Sequence, residues 1–439
     1  MKRKSIMATV TTIAVLVGTI GTMVPASAEE KEQLVIMHQW TDEVMEQGNA
    51  EGQAVQHAIE NFQEKHPDVE VVIESLTQEA GYESKIKTLA AADELPDVFF
   101  ALPSMMTSFY KNGQVLDLKP ILEEDTEWYE TFADGAFGDF TYGDAILGAP
   151  RCAIANSVLF YNKAIFEECG INEFPSTMDE FLEAVKTLRE NGYIPLATGN
   201  KDQFAIASQV MPGILFKFVD ASWYEKLRNY DGASFEDEDA LAAISFMNEL
   251  MQAGMFNEDA NSCDIYQARE YYYSGKAAMY LEGSWVVSSF ITDCQADTLE
   301  NTEITLFPVV EGKEELDGQM VTGQGWGFSI NSQISEEKQA LAVDFLKELT
   351  SEEVQAECVE NGLLTVLKEV SYDESKLDPF YVKFLDLYAA KSAKVGCPEV
   401  QLSTAYMDAS YTGYQELSVG TVTPEELAAS LQEAHESAQ

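Results

Sequence analysis

Leu34-Val35-Ile36-Met37, Val69-Glu70-Val71-Val72-Ile73 and Val98-Phe99-Phe100-Ala101 are three short runs rich in β-branched and aromatic residues. Between the first and second, Val55, Ala58, Ile59 and Phe62 recur at helical spacing, and His66-Pro67 stops the pattern. Between the second and third, Tyr82, Ile86 and Leu89 mark another helix. Strand, helix, strand, helix, strand at this spacing predicts a parallel sheet covered by helices.

The alternation continues outward. Thr177-Met178-Asp179-Glu180 has the form of a capping box, opening a helix with Phe181, Leu182, Val185 and Leu188 inward. Asn191-Gly192 ends that helix, and Tyr193-Ile194-Pro195-Leu196 reads as the next strand. Later helices are predicted from near Asp239, with Leu241, Ile244, Met247, Leu250 and Met251 inward, and from Ser335, with Leu341, Phe345 and Leu349 inward. A last helix opens at Thr423, with Pro424 in its first turn and Glu426 completing a capping box. At 439 residues the chain exceeds what one core usually holds, so two α/β lobes are expected. No low-complexity linker separates them, which predicts that the chain crosses between lobes more than once.

Lys and Arg number 27 against 75 Asp and Glu, a net charge of −48, and this excludes partners that need a basic face. Nucleic acid is such a partner, and an anionic lipid surface is another. Lys2-Arg3-Lys4, an apolar run from Ile6 to Val24, and Pro25-Ala26-Ser27-Ala28 form the three parts of a secretory signal. Cleavage after Ala28 is expected rather than retention as an anchor, because Gly18, Gly21 and several threonines leave the run weakly apolar. No cysteine lies near that site to take a lipid. Six cysteines, at 152, 169, 263, 294, 358 and 397, are spread along the chain. Disulfides are permitted outside the cytoplasm and their pairing is open, but buried free thiols are expected for most of the six.

Catalytic patterns are missing. The four histidines, His38, His57, His66 and His435, sit in no metal-hydrolase motif, and neither a nucleophile elbow nor a P-loop is present. No metal or cofactor is expected. Gly323-Gln324-Gly325-Trp326-Gly327 leads into a strand, Phe328-Ser329-Ile330, rather than a phosphate-binding helix. What stands out instead is aromatic. Trp40 follows the first strand, Trp285 follows Glu282-Gly283-Ser284, and Trp326 sits in the glycine-rich turn. Placed at strand ends, these rings can cover the C–H face of a sugar, with Gly283 leaving room for a ligand to approach the backbone. Asp42, Arg151 and Asn156 are candidate partners for its hydroxyls. Trp128 and Trp223 read as core.

In order and spacing, several short stretches resemble family 1 of the extracellular solute-binding proteins, the group that contains maltose-binding protein. They include Leu95-Pro96-Asp97-Val98-Phe99, Leu159-Phe160-Tyr161-Asn162-Lys163, Phe174 to Phe181, Ser274 to Met279, Gly283-Ser284-Trp285 and Gly325-Trp326-Gly327-Phe328. The resemblance implies a two-lobed α/β fold of the periplasmic-binding-protein type II, with ligand in the cleft and closure by a hinge. It places one lobe at residues 29–152 plus 307–364, and the other at 153–306 plus 365–439. Implied contacts are Gln39, Trp40 and Asp42 after the first strand, the loop from Ala101 to Met105 with Ser104, the segment from Arg151 to Asn156, and Trp285 stacked on sugar. Maltose-type binders carry charged groups where this chain has Leu102-Pro103-Ser104-Met105, which argues against maltodextrin.

The expected function is therefore capture of a mono- or oligosaccharide for the permease of an ABC importer, by a monomer acting without catalysis. A secreted glycoside hydrolase is the rival from another class. The same fold with a polyamine, phosphodiester or peptide ligand is a third reading.

Overall fold

A computed structural model of the chain describes residues 31–438 except 47, 78–80 and 392, so the secretory signal read from residues 1–28 lies outside the described residues. Within them the strands are β1 (Glu32–His38), β2 (Val69–Ser75), β3 (Val98–Ala101), β4 (Thr141–Tyr142), β5 (Ala145–Ile146), β6 (Ala149–Pro150), β7 (Ile154–Ala155), β8 (Val158–Asn162), β9 (Ile194–Ala197), β10 (Ala277–Glu282), β11 (Thr302–Thr305), β12 (Gln319–Gly323), β13 (Gly327–Ile330) and β14 (Ala393–Val395).

Two sheets form the framework. The first has the order β2-β1-β3-β13-β6, with β1 parallel to β2 and β3, and β13 antiparallel to β3 and β6. The second has the order β11-β8-β10-β9, with β10 parallel to β9 and β8 antiparallel to both neighbours. The first sheet is thus parallel only over its first three strands. β13 returns from far along the chain and pairs in the opposite sense, a long-range pairing that local periodicity does not encode. Between the sheets, β7, β12 and β14 form a three-stranded ribbon, with Ala155 opposite Thr322 and Val321 opposite Val395. The chain passes from one sheet to the other through β7 and back through β12.

Local chemistry fixes the strand ends that face this junction. Asp97, just before β3, accepts from the Val35 amide at 2.8 Å and from Lys338 at 2.8 Å, locking β1 beside β3. The helix Tyr82–Ala91 sends the Tyr82 hydroxyl to the carbonyls of Met37 (3.1 Å) and Phe100 (2.7 Å), across the carboxyl ends of both strands. In open α/β sheets those ends are where ligands bind.

Most helix starts fall where the caps predict. Ser335 caps Glu336–Leu349, and Thr423 with Glu426 makes a full capping box on Pro424–Glu436. Thr177 makes only half of one. It accepts from the Glu180 amide, but the Glu180 carboxylate turns to the backbone and hydroxyl of Ser176 instead. The buried stripes are also shifted slightly. Ala90 rather than Leu89 is buried on Tyr82–Ala91, and Ala243 and Phe246 rather than Leu241 and Met251 on Glu238–Gln252. Small residues let a helix sit close to the sheet, so its phase follows the packing rather than the largest side chains.

All six cysteines are free, with Cys152, Cys263, Cys358 and Cys397 buried. None of the described helices is long and apolar enough to cross a membrane.

Candidate functional site

A cleft of about 460 Å³ opens between the two sheets. Of the residues singled out from sequence, Gln39, Trp40, Arg151, Asn156, Trp285 and Trp326 line it. Asp42 and Ser104 do not. Asp42 is exposed in the first turn of the short helix Asp42–Glu46. Ser104 is buried in the first turn of the helix Pro103–Lys111, since Pro103 starts a helix where a loop was expected. Trp128 and Trp223 are also away from the cleft, their indoles held by Thr350 at 2.9 Å and Asp237 at 2.8 Å.

One wall is built on the first sheet. The Trp40 ring packs 4.8 Å from Phe100, and Trp326 stacks on the same Phe100 at 5.4 Å. Gly325, at φ 59°, supplies the left-handed bend that turns Trp326 toward the wall. Beneath the rings lies a buried ion pair, Arg151 with Glu51, the guanidinium 5.2 Å from the Phe100 ring. Arg151 also donates to the Trp326 carbonyl at 2.7 Å, and its own carbonyl accepts from Gln355 at 2.8 Å. Its charge is therefore engaged by the protein. Among the described residues its Nε–H has no partner, nor has the Oε1 of Gln39, and both atoms are buried.

The other wall belongs to the second sheet. Glu282, the last residue of β10 and 1% exposed, gathers donors from three residues. Arg269 grips it through Nη2 at 2.6 Å and Nε at 3.0 Å, the Trp285 indole donates at 2.6 Å, and the Tyr280 hydroxyl donates to its second oxygen. Trp285 folds back over Gly283, where any side chain would collide with its ring. The missing Cβ thus makes room for the tryptophan itself, not for a ligand as the sequence reading had it. On the helix Ile265–Tyr273, Tyr266 lies 5.1 Å from the Arg269 guanidinium and is 49% exposed toward the cleft.

A π-helix, Ala205–Val210, contributes Ser208 and Gln209. Such wide turns often mark functional sites. Its carbonyls receive the Asn156 amide (2.8 Å, at Ser208) and the Ser157 hydroxyl (2.5 Å, at Gln209), which secure the segment where the chain crosses. Ser157 holds φ 57° there, unusual for a residue with a side chain. Glu399 completes the rim, bonded by the Tyr411 hydroxyl. Burial, countered by Tyr411 and Ser208 and reinforced by the Glu83 carboxylate, raises it to about 7.

Glu51, Arg269, Glu282, Tyr266 and Glu399 carried no motif. Tyr266, between Ile265 and Gln267, is one of 19 tyrosines and had no local signal either.

Residues 47–356 match the bacterial extracellular solute-binding proteins. The chain belongs to that family. It is made up of solute-binding proteins rather than enzymes, and its description places it outside the cell. This solute-binding protein is 24% identical over 272 residues to an uncharacterized ABC transporter extracellular-binding protein of Pyrococcus horikoshii, covering 61% of the chain and 58% of that protein. It is 27% identical over 292 residues to the xylose/arabinose-binding protein XacG of Haloferax volcanii, covering 64% and 59%. The chain therefore spans less than two thirds of the length of those curated relatives. Among solved structures, a chitin oligosaccharide binding protein superposes with a TM-score of 0.82 at 21% identity, covering 92% of this chain and 98% of that one. The fold is the two-lobed α/β type II architecture of periplasmic solute-binding proteins.

Proposed function

We propose that this protein captures a small carbohydrate outside the cytoplasmic membrane and hands it to the permease of an ABC importer. The observation that carries the reading is the pairing of aromatic rings and polar side chains in one cleft. Trp285 and Tyr266 bring aromatic rings to one wall, while Gln39 and Arg151 bring polar side chains to the other. A sugar is apolar on its ring faces and hydroxylated at its edge, so it fits both. Relatives named for xylose, arabinose and chitin oligosaccharides support the same class.

In this reading the ligand contacts are Gln39, Trp40, Arg151, Asn156, Tyr266, Trp285 and Trp326. The lobes are those read from the sequence, residues 29–152 plus 307–364 and 153–306 plus 365–439, moving as a hinge about β7 and β12. The protein acts as a monomer without catalysis and is exported with cleavage after Ala28. A thermal-shift screen against neutral mono- and oligosaccharides tests the central claim, because a ligand that binds only the folded state raises the melting temperature. The expected result is a shift for at least one sugar with no product after long incubation. No shift across the panel, or turnover of a sugar, would overturn it.

A further inference from the structure

The cleft lining contains two cations among the described residues, Arg151 and Arg269, and five acids, Glu51, Glu83, Asp202, Glu282 and Glu399. Both guanidiniums are already committed, Arg151 to Glu51 and Arg269 to Glu282 in a two-pronged grip. Glu83 is bonded by Lys87 at 2.8 Å, on its own helix. Asp202 and Glu399 make no ion pair among the described residues, so the charge left over in the cavity is negative. A carboxylate, sulfate or phosphate entering here would find no free cation among the lining residues, and would face the half-buried Glu399 and the exposed Asp202 carboxylates. A hydroxyl has the opposite relation to the same groups, since a carboxylate accepts its proton in a charge-assisted hydrogen bond.

We propose that the cleft selects uncharged glycans and rejects those bearing an acidic group, with Asp202 and Glu399 as the residues that set this selectivity. The inference rests on the sugar-binding reading and narrows it. It adds a role for acids that the aromatic argument leaves unused.

Glu399 gives the selectivity a signature in pH. The groups that face it are the hydroxyls of Tyr411 and Ser208, the carboxylate of Glu83, and the buried Cys397 thiol and Tyr406 phenol. Burial, offset in part by Tyr411 and Ser208, moves its protonation to about pH 7. Below that value one of the two repelling charges disappears, while a uronate ligand stays ionised.

The experiment measures affinity by calorimetry for matched pairs: galactobiose with digalacturonate, and xylotriose with its glucuronate-substituted form, alongside the neutral sugar that performs best in the thermal-shift screen. At pH 8.5 the acidic partner is expected to bind about 100-fold more weakly than the neutral one, since like charges set against each other across a contact are strongly unfavourable. At pH 5.5 the ratio should shrink several-fold. In the double variant Asp202→Asn, Glu399→Gln it should shrink about tenfold at pH 8.5. An acidic glycan that binds as well as its neutral partner overturns the inference and leaves the proposed function standing. A ratio that neither pH nor the double variant moves removes Asp202 and Glu399 from the role. Failure of every neutral glycan to bind brings down the proposed function, and this inference with it.

Discussion

On the first-sheet wall of the cleft, Trp40 is 3% exposed, its ring wedged against Phe100, with Trp326 stacked on the same ring. On the second-sheet wall, Tyr266 is 49% exposed, and the half-buried Trp285 is fixed by a hydrogen bond to Glu282 in addition to its packing. The first wall holds its rings by packing, so its aromatics are as much core as contact. The second sets Trp285 by a carboxylate that also takes donors from Arg269 and Tyr280, and Tyr266 lies against that Arg269. A ring set by hydrogen bonds can present most of its face to a ligand and still be pre-oriented, which lowers the entropy lost on binding. A ring set by packing cannot be removed without damaging the fold.

The comparison predicts where each substitution will be felt. Glu282→Ala leaves the mostly buried Arg269 without its counter-ion and should cost about 3–5 kcal/mol of stability in urea unfolding. A loss under about 1 kcal/mol would mean that the second wall does not depend on its carboxylate. Trp40→Ala should cost a similar amount, about 3–5 kcal/mol, because it opens a cavity against Phe100. The same method checks it, and a folded, fully stable variant would break the contrast between the walls.

Trp285→Ala should weaken binding of the sugar found by screening by about 2–4 kcal/mol in calorimetric titration, with a smaller effect on folding than Trp40→Ala. Trp223→Ala, whose indole bonds Asp237 away from the cleft, should leave affinity unchanged. Normal binding by Trp285→Ala would reassign that ring to the core.

The smallest effect sharpens the first wall through His38, whose ring lies 5.7 Å from Trp40 and accepts the Trp40 amide at 3.3 Å. Burial lowers its pKa to about 4 from the ordinary 6.5. Between these values the unfolded chain takes up a proton that the folded chain refuses. His38 therefore opposes folding progressively as pH falls from 6.5 toward 4, by up to about 3 kcal/mol. Unfolding of the wild type and of His38→Asn, whose amide oxygen can still accept from Trp40, should diverge in that direction over this pH range. Parallel curves would place His38 outside the wall's energetics.

The sequence by itself determined the elements and most of the singled-out side chains that line the cleft. Hydrophobic period and caps are local properties, so β1, β2, β3 and the helix starts at Ser335 and Thr423 were legible from a few residues each. Tryptophans at strand ends were legible too, because a large ring beside glycine or a turn has few places to go. Only the tertiary structure decided which polar residues meet. Glu51 reaches Arg151 across a hundred positions, and Glu399 meets Glu83 and Tyr411 from separate helices. Among 75 acidic residues nothing local distinguishes these from the solvated majority. Tertiary structure also removed Asp42 and Ser104 from the cleft, since a helix beginning at Pro103 buries one and a short exposed turn carries the other away. The antiparallel return of β13 into the first sheet has the same origin. It is a pairing between segments more than two hundred residues apart, fixed by which edge of the sheet is left open rather than by any pattern within the strand.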